Sequence, residues 1–355
     1  MGPAILPARQ SDRLPTVRLA PKESFTAINT FRMDDFMRCY FAPLEGVTSA
    51  VYRNAHYRLF SGVDKYYMPF ISPTQHHVNT PRELRDILPE HNGDTPVVPQ
   101  LLTKCAEDFL WAAGDLAAMG YDEVNLNLGC PSGTVVSKGK GSGFLAHLED
   151  LERFLDEVFA RCPIDISIKT RLGVHEADEF WPILELYNRY PIKELTIHPR
   201  VQKDIYKNQV RMGHYLRAME ETKIPLCYNG DLVSESDYTA LTSVYPEIDT
   251  IMLGRGIVAN PALARQIKGG QSAQIGELQA FHDTIYEEFA EMMHSRRNAM
   301  IRMKEIWYFH INLFDDGEKH IKRLRKASVP AEYEAAAAAI FRELPLRTDA
   351  VAGWR

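Results

Sequence analysis

EVNLNLGCPSGTVVSKGKGSGFLAHLEDLERFLDEVFARCPIDISIKTR, residues 123–171, contains one whole repeat of the pattern that organises this chain. A short run rich in apolar residues, 123–129, ends in glycine. A turn follows. Leu151, Phe154, Leu155, Val158 and Phe159 then recur at i, i+3, i+4, i+7 and i+8, which lays one apolar stripe along a helix. A second short run, 165–171, closes the unit. Brief apolar runs that end in polar or glycine residues read as parallel strands buried on both faces.

The same run recurs on either side as YFAPLEG at 40–46, KYYMPF at 65–70, PVVPQLL at 96–102, ELTIHPR at 194–200, IPLCYNG at 224–230 and TIMLGRG at 250–256. Between them lie helical stretches. One spans 105–119, with Phe109, Ala112, Ala113, Leu116 and Met119 on one face and Gly120 as its stop. Eight strand–helix units predict an α/β fold, a (β/α)₈ TIM barrel. An open doubly wound sheet is the alternative.

Three segments are expected. Residues 1–36, with Pro3, Pro7, Pro15 and Pro21 and no sustained period, read as a loose extension, or as sequence upstream of a start at Met33 or Met37. Residues 37–270 hold the barrel. Residues 271–355 read as a small helical domain: 276–314 as one continuous helix, a break at Asp315–Gly317, then further helices.

Composition is that of a globular protein, 45% hydrophobic and 25% charged. The five cysteines, Cys39, Cys105, Cys130, Cys162 and Cys227, are scattered and form no C-x-x-C. That argues against a disulfide framework and a metal site, and for a cytoplasmic home. No long apolar stretch predicts a membrane span, and no secretory signal is expected. The net charge of −6 means that any nucleic-acid partner needs a local basic surface.

In a (β/α)₈ barrel the chemistry sits at the C-terminal strand ends. Pro43, Glu45, Gly46, Gln100, Asn127, Cys130, Lys169, Arg171, His198, Asn229, Gly230, Asp231, Gly254 and Arg255 all fall there. Asn-Gly-Asp at 229–231 and Gly-Arg-Gly at 254–256 suit a phosphate, through close backbone approach and the charge of Arg255. Lys169 and His198 read as a cationic pair beside the pyrimidine edge of a flavin, with Gln100 and Asn127 as hydrogen-bonding groups. Cys130, in a Gly-Cys-Pro turn, can donate a proton to a carbon receiving hydride elsewhere. The loop after it, SKGKGSG, reads as a mobile basic lid, or as a phosphate contact through Lys138 and Lys140. It lacks the order of a P-loop.

These motifs in this order, APLEGVTSAVYR, VPQL, NLGCPS with its glycine-rich loop, IKTRLG, the histidine of TIHPR, YNGD and LGRG, resemble the tRNA-dihydrouridine synthases over about residues 40–260. The resemblance implies reduction of a tRNA uridine to 5,6-dihydrouridine, with FMN as cofactor and NADPH or NADH as donor. Cys130 is then the acid at C5. Lys169, His198, Gln100, Asn229, Gly230, Asp231, Gly254 and Arg255, with Pro43, Glu45 and Gly46, hold FMN. Asn127 and Arg171 face the flipped uracil or the flavin. Many family members carry His-Gly-Arg-Thr after strand six. Here the stretch is HPRVQKDIY, which keeps His198 together with Arg200 and Tyr206, the last two toward the substrate.

Between 296 and 326 nine basic residues stand against four acidic ones, with aromatic residues among them. Arg323 and Lys326 belong to this patch, which suits an RNA backbone. A monomer is expected. Two other readings share part of this pattern: a flavin barrel enzyme acting on a free metabolite, of the dihydroorotate dehydrogenase or ene-reductase kind, and a barrel that binds without turnover.

Overall fold

The structure is a computed structural model that describes residues 37–353. The expected extension at 1–36 lies outside the described residues. The described residues belong to one compact unit, so the barrel and the helices after it pack together. Among the described residues no helix is long and apolar enough to cross a membrane.

The eight strands are β1 (Arg38–Phe41), β2 (Lys65–Tyr67), β3 (Val97–Val98 and Gln100–Leu101), β4 (Glu123–Leu128), β5 (Asp165–Gly173), β6 (Leu195–Val201), β7 (Leu226–Tyr228) and β8 (Thr250–Leu253). β3 is split at Pro99, which has no N–H to give to a ladder. Its first half pairs with β2 and its second with β4, while β1 pairs with β8. Every pairing is parallel, and the sheet therefore closes on itself. Pro99 keeps the seam by its carbonyl, which accepts from Asn125 N at 2.8 Å. The barrel reading holds over the open sheet.

The strands differ from expectation in one respect. They are buried on both faces, but only the outer face is mainly apolar. Cys39, Phe41, Tyr66, Leu101, Val124, Leu126 and Ile168 look outward and join the main core under the helices. The inner face holds a small separate apolar cluster, Tyr40, Ala42, Tyr67, Val98, Cys227 and Met252. The remaining inward positions are polar and buried: Gln100, Glu123, Asn125, Asn127, Ser167, Glu194, Thr196 and His198. Strand period two sets this division, and buried polar groups are stable there because they pair with each other.

After Leu253 come Arg255–Ala259 and then four longer helices, Ile275–Met292, Arg296–His310, Glu318–Lys326 and Pro330–Glu343. The expected continuous helix over 276–314 is broken. His294 takes φ +48°, and the Ser295 side chain accepts from Asn298 N at 3.2 Å, a cap that starts a new helix. Phe281 docks this region on the barrel, edge to face with Tyr52 and Phe60 at centroid distances of 5.2 and 5.3 Å.

Gly256 lets the turn after β8 pack on the loop after β7. A Cβ there would stand 2.3 Å from Leu232 O and 2.8 Å from Val233 Cα. Gly256→Val is expected to destabilise the protein by about 1–3 kcal/mol, read as a lower denaturant midpoint.

Candidate active site

The C-terminal ends of the strands surround a cavity of 390 Å³. Pro43 and Glu45 from the turn after β1, Gln100 of β3, Asn127 and Cys130 at the end of β4, and Lys169 and Arg171 of β5 line it. So do His198 of β6, Asn229, Gly230 and Asp231 after β7, and Gly254 and Arg255 after β8. Tyr206 joins from the loop after β6. Fourteen of the residues singled out in the sequence thus meet around one space.

Five do not. Gly46 stands beside the tail, where a Cβ would lie 3.8 Å from Glu305 and 3.9 Å from Arg302. Lys138 is exposed on the surface, and so are Arg323 and Lys326. Arg200 is 2% exposed and lies behind the wall. Its guanidinium is committed to Asn208 O, to Asp231 and to His198 Nε2. Arg200 therefore shapes the site through His198 and Asp231 and is too enclosed to meet a large substrate.

Cys130 is half-buried. Asn127 Oδ1 accepts from Cys130 N at 2.9 Å and from Gly129 N at 3.1 Å, which pins the turn. From below, Ser142 Oγ donates to Cys130 O at 2.8 Å. Ser142 belongs to the Gly141–Ala146 turn of 3₁₀ helix, whose first five residues are buried. Gly141, at φ +57°, has no room for a side chain against Cys130 O. The expected mobile lid is therefore half built into the fold, because Ser142, Phe144 and Leu145 pack beneath the cysteine. Lys140 donates to Ser72 at 3.1 Å.

The charges are uneven. Arg171 donates to three carbonyls, Gly129 O at 2.9 Å, Val201 O at 3.0 Å and Ile205 O at 2.8 Å. It ties the cysteine turn to the loop that carries Tyr206. Ile205 is held there at φ +52°, a strained backbone for a β-branched residue. Arg255 lies over the Tyr206 ring at 4.3 Å and 3.6 Å from Asp231. Asp231 also accepts from Arg200 at 3.1 Å. Glu45 is paired with Arg82.

His198 is not the second cation that the sequence suggests. Arginine has only donors, so the 2.9 Å contact from Arg200 makes His198 Nε2 an acceptor and leaves the proton on Nδ1. Burial, then the neighbouring charges of Arg171, Lys169, Arg200 and Arg255, hold it neutral, well below its ordinary value. Burial and then Arg171 lower Lys169 to about 8. Its ammonium donates to Asn229 Oδ1 at 2.7 Å. Burial pushes the Cys130 thiol up, against the Ser132 backbone hydrogen bond and the charges of Arg171 and Lys169.

The sequence reading missed several participants. Phe70 lines the cavity after β2, and Phe309 reaches it from the Arg296–His310 helix. The rule that finds strand-end residues would have found Phe70. Phe309 carries no local signal, because only the docking of the tail brings it there. Asn125 and Ser167 lie deeper in the barrel and show in the sequence as the polar beats of E-V-N-L-N-L and D-I-S-I-K-T.

A family model described as Dihydrouridine synthase (Dus) matches residues 40–343. A protein named probable tRNA-dihydrouridine synthase from Staphylococcus epidermidis is 28% identical over 255 residues, 70% of this chain and 77% of its own. One named probable tRNA-dihydrouridine synthase 1 from Synechocystis sp. is 30% identical over 233 residues, 64% of this chain and 63% of its own. Among solved structures, morphinone reductase aligns with a TM-score of 0.48 at 14% identity, over 69% of this chain and 88% of its own.

Because burial is the first cause of its shift, the Cys130 thiol is expected to resist alkylation at neutral pH. Its iodoacetamide reaction, followed by mass on the Cys130 peptide, should keep accelerating above the ordinary thiol value of 9.0. A midpoint below that value would contradict the protonated thiol.

Proposed function

The chain belongs to the dihydrouridine synthase family, and we propose that it reduces a uridine of tRNA to 5,6-dihydrouridine, with FMN in the barrel mouth, NADPH or NADH as donor and Cys130 as the acid at C5. The observation that carries this reading is the family match over residues 40–343, which includes the Cys130 turn, every strand end around the cavity and the helical tail. The relatives' names supply tRNA as the substrate.

The residues present fit FMN. A cavity of 390 Å³ falls in the ordinary range for a cofactor site. Gln100, Asn127 and Lys169 supply N–H donors on one wall. On another wall a Cβ at Gly254 would meet only Ala42, at 3.7 Å, so the missing side chain leaves room for a ligand. In this reading Gly230, Asp231, Gly254 and Arg255 hold the phosphate. Lys169, Gln100, Asn229 and the Nδ1–H of His198 hold the ring edge, and Pro43 and Glu45 close the side. When bound there, FMN would supply hydride for C6 of the uracil, with the nicotinamide donor as the source of its electrons.

The chain's own part is positioning and proton supply. Cys130 keeps its proton near neutral pH because its surroundings disfavour the thiolate. After it protonates C5, Lys169 and Arg171 stabilise the thiolate left behind. A uracil reaches this depth only out of the RNA stack. Tyr206, 45% exposed, offers a ring for stacking beside Asn127 and Arg171. Lys138 and the exposed Arg323 and Lys326 take the RNA backbone, as the basic stretch over 296–326 suggests.

Single-turnover oxidation of the NADPH-reduced protein by unmodified tRNA, without oxygen, tests the reading. Rapid reoxidation with dihydrouridine in the digested RNA is expected. A reduced flavin indifferent to tRNA would move the substrate to a small enone or pyrimidine. Cys130→Ala should retain FMN and NADPH oxidation while losing about 100-fold or more of tRNA reduction.

Lys169 is charged below its value of about 8 and neutral above it. FMN affinity of the apoprotein should therefore fall as pH rises from about 7 to 9. Titration by flavin fluorescence should show this fall, and Lys169→Gln should flatten it. Paired charge reversals at Arg323 and Lys326 should weaken tRNA binding and its salt dependence, with FMN content unchanged.

A further inference from the structure

A continuous hydrogen-bonded line runs inside the barrel from its floor to the cysteine. At the floor, the Glu123 carboxylate is paired with Lys65 at 3.1 Å and Lys193 at 3.2 Å. Ser167 Oγ donates to Glu123 at 2.7 Å. Asn125 Nδ2 donates to Ser167 Oγ at 2.9 Å, and Gln100 Nε2 to Asn125 Oδ1 at 2.8 Å. Asn127 Nδ2 donates to Gln100 Oε1 at 2.7 Å. The line ends where Asn127 Oδ1 accepts the N–H groups of Gly129 and Cys130. Glu123, Ser167, Asn125, Gln100 and Asn127 are all buried.

The direction of this line is fixed from both ends. An ionised carboxylate only accepts, so Ser167 spends its one proton on Glu123 and must accept from Asn125. That sets the Asn125 amide, which sets Gln100, which sets Asn127. At the other end backbone N–H groups only donate, so Asn127 must present its oxygen. Both ends demand the same sense. Each amide is thereby held in one of its two orientations, with no good alternative in a dry interior.

We propose that Glu123, Ser167 and Asn125, none of which lines the cavity, are positioning residues that act through Gln100 and Asn127 to hold Cys130 in place. The proposal rests on Cys130 as the acid of the reaction. It has a further consequence for the ligand. Asn127 Oδ1 is filled by two N–H groups, so Asn127 and Gln100 each turn a remaining amide N–H to the cavity. With Lys169 and the Nδ1–H of His198, this wall presents donors, and an acceptor-rich ring edge is what it selects.

The test is Ser167→Ala, with two readouts. Single-turnover reduction of tRNA should slow about tenfold, as when the support of a catalytic group is removed. The pH midpoint of Cys130 alkylation should fall toward the ordinary value of 9.0, because a loosened turn lets water reach the thiol. Ser167→Thr, which keeps the hydroxyl, should restore both. If Ser167→Ala fails to fold, the isosteric Asn125→Asp makes the same test, since it puts an acceptor where Ser167 needs a donor. A folded Ser167→Ala protein with the wild-type alkylation profile and rate would overturn the proposal. So would a loss that Ser167→Thr shares in full. Alkylation needs neither flavin nor tRNA. A shifted midpoint with unchanged tRNA reduction would therefore support the positioning role and remove Cys130 as the acid.

Discussion

Two carboxylates buried in the floor of the barrel, Glu123 and Glu194, set the terms for everything above them. Each is almost fully enclosed, and an unpaired charge there would cost several kcal/mol. Glu123 is met by Lys65, Lys193 and Ser167. Glu194 accepts from the hydroxyls of Tyr40 at 2.8 Å and Tyr67 at 3.2 Å. The inner ends of β1, β2, β4, β5 and β6 are thus tied together by compensation as well as by backbone ladders. The polarity of the amides from Ser167 up to Asn127 follows from that floor.

At the other end of the barrel the balance is reversed. Lys169, Arg171, Arg200 and Arg255 crowd one mouth. Arg171 and Arg200 are absorbed by carbonyls and Asp231, yet burial and then the charges of these neighbours keep His198 neutral, and burial and then Arg171 lower Lys169. Such a site stores unfavourable charge that an anionic ligand relieves. The same field leaves a thiolate at Cys130 less costly than burial alone would make it. In the proposed reaction, one set of cations would therefore serve both the cofactor and the proton transfer.

The tail completes this mouth from the side. Its Trp307 is buried and donates to Tyr333 at 3.1 Å, within the same continuous core that lies under the barrel helices. Phe281 fixes them to the first barrel helix, and Phe309 then arrives at the cavity. The basic residues Arg323 and Lys326 stay on the outside of that core. Ile321 and Leu324 of the same helix are buried, so an apolar inner face and a charged outer face coexist on one short helix.

The sequence by itself determined the strand–helix repeat, its eight short runs and most of the strand-end residues around the cavity. These are local facts: apolar runs, helical stripes and the glycines and prolines that end them. Closure into a barrel rather than an open sheet was decided by the pairing of β1 with β8 and of the two halves of β3 with β2 and β4. Pro99 sits inside the expected strand run at 96–102 without any sign of its role, while the closed sheet shows it as the seam. The polar inner face was written as a period of two in β4, β5 and β6, but a run such as EVNLNL reads as apolar until its neighbours are known. What tertiary structure alone decided was electrostatic and mutual. The neutrality of His198, the withdrawal of Arg200 behind the wall, the packed loop under Cys130 and the arrival of Phe309 each depend on groups distant in sequence. A residue's type limits what it can donate or accept; only the fold decides which partner takes it, and so which atoms are left for a ligand.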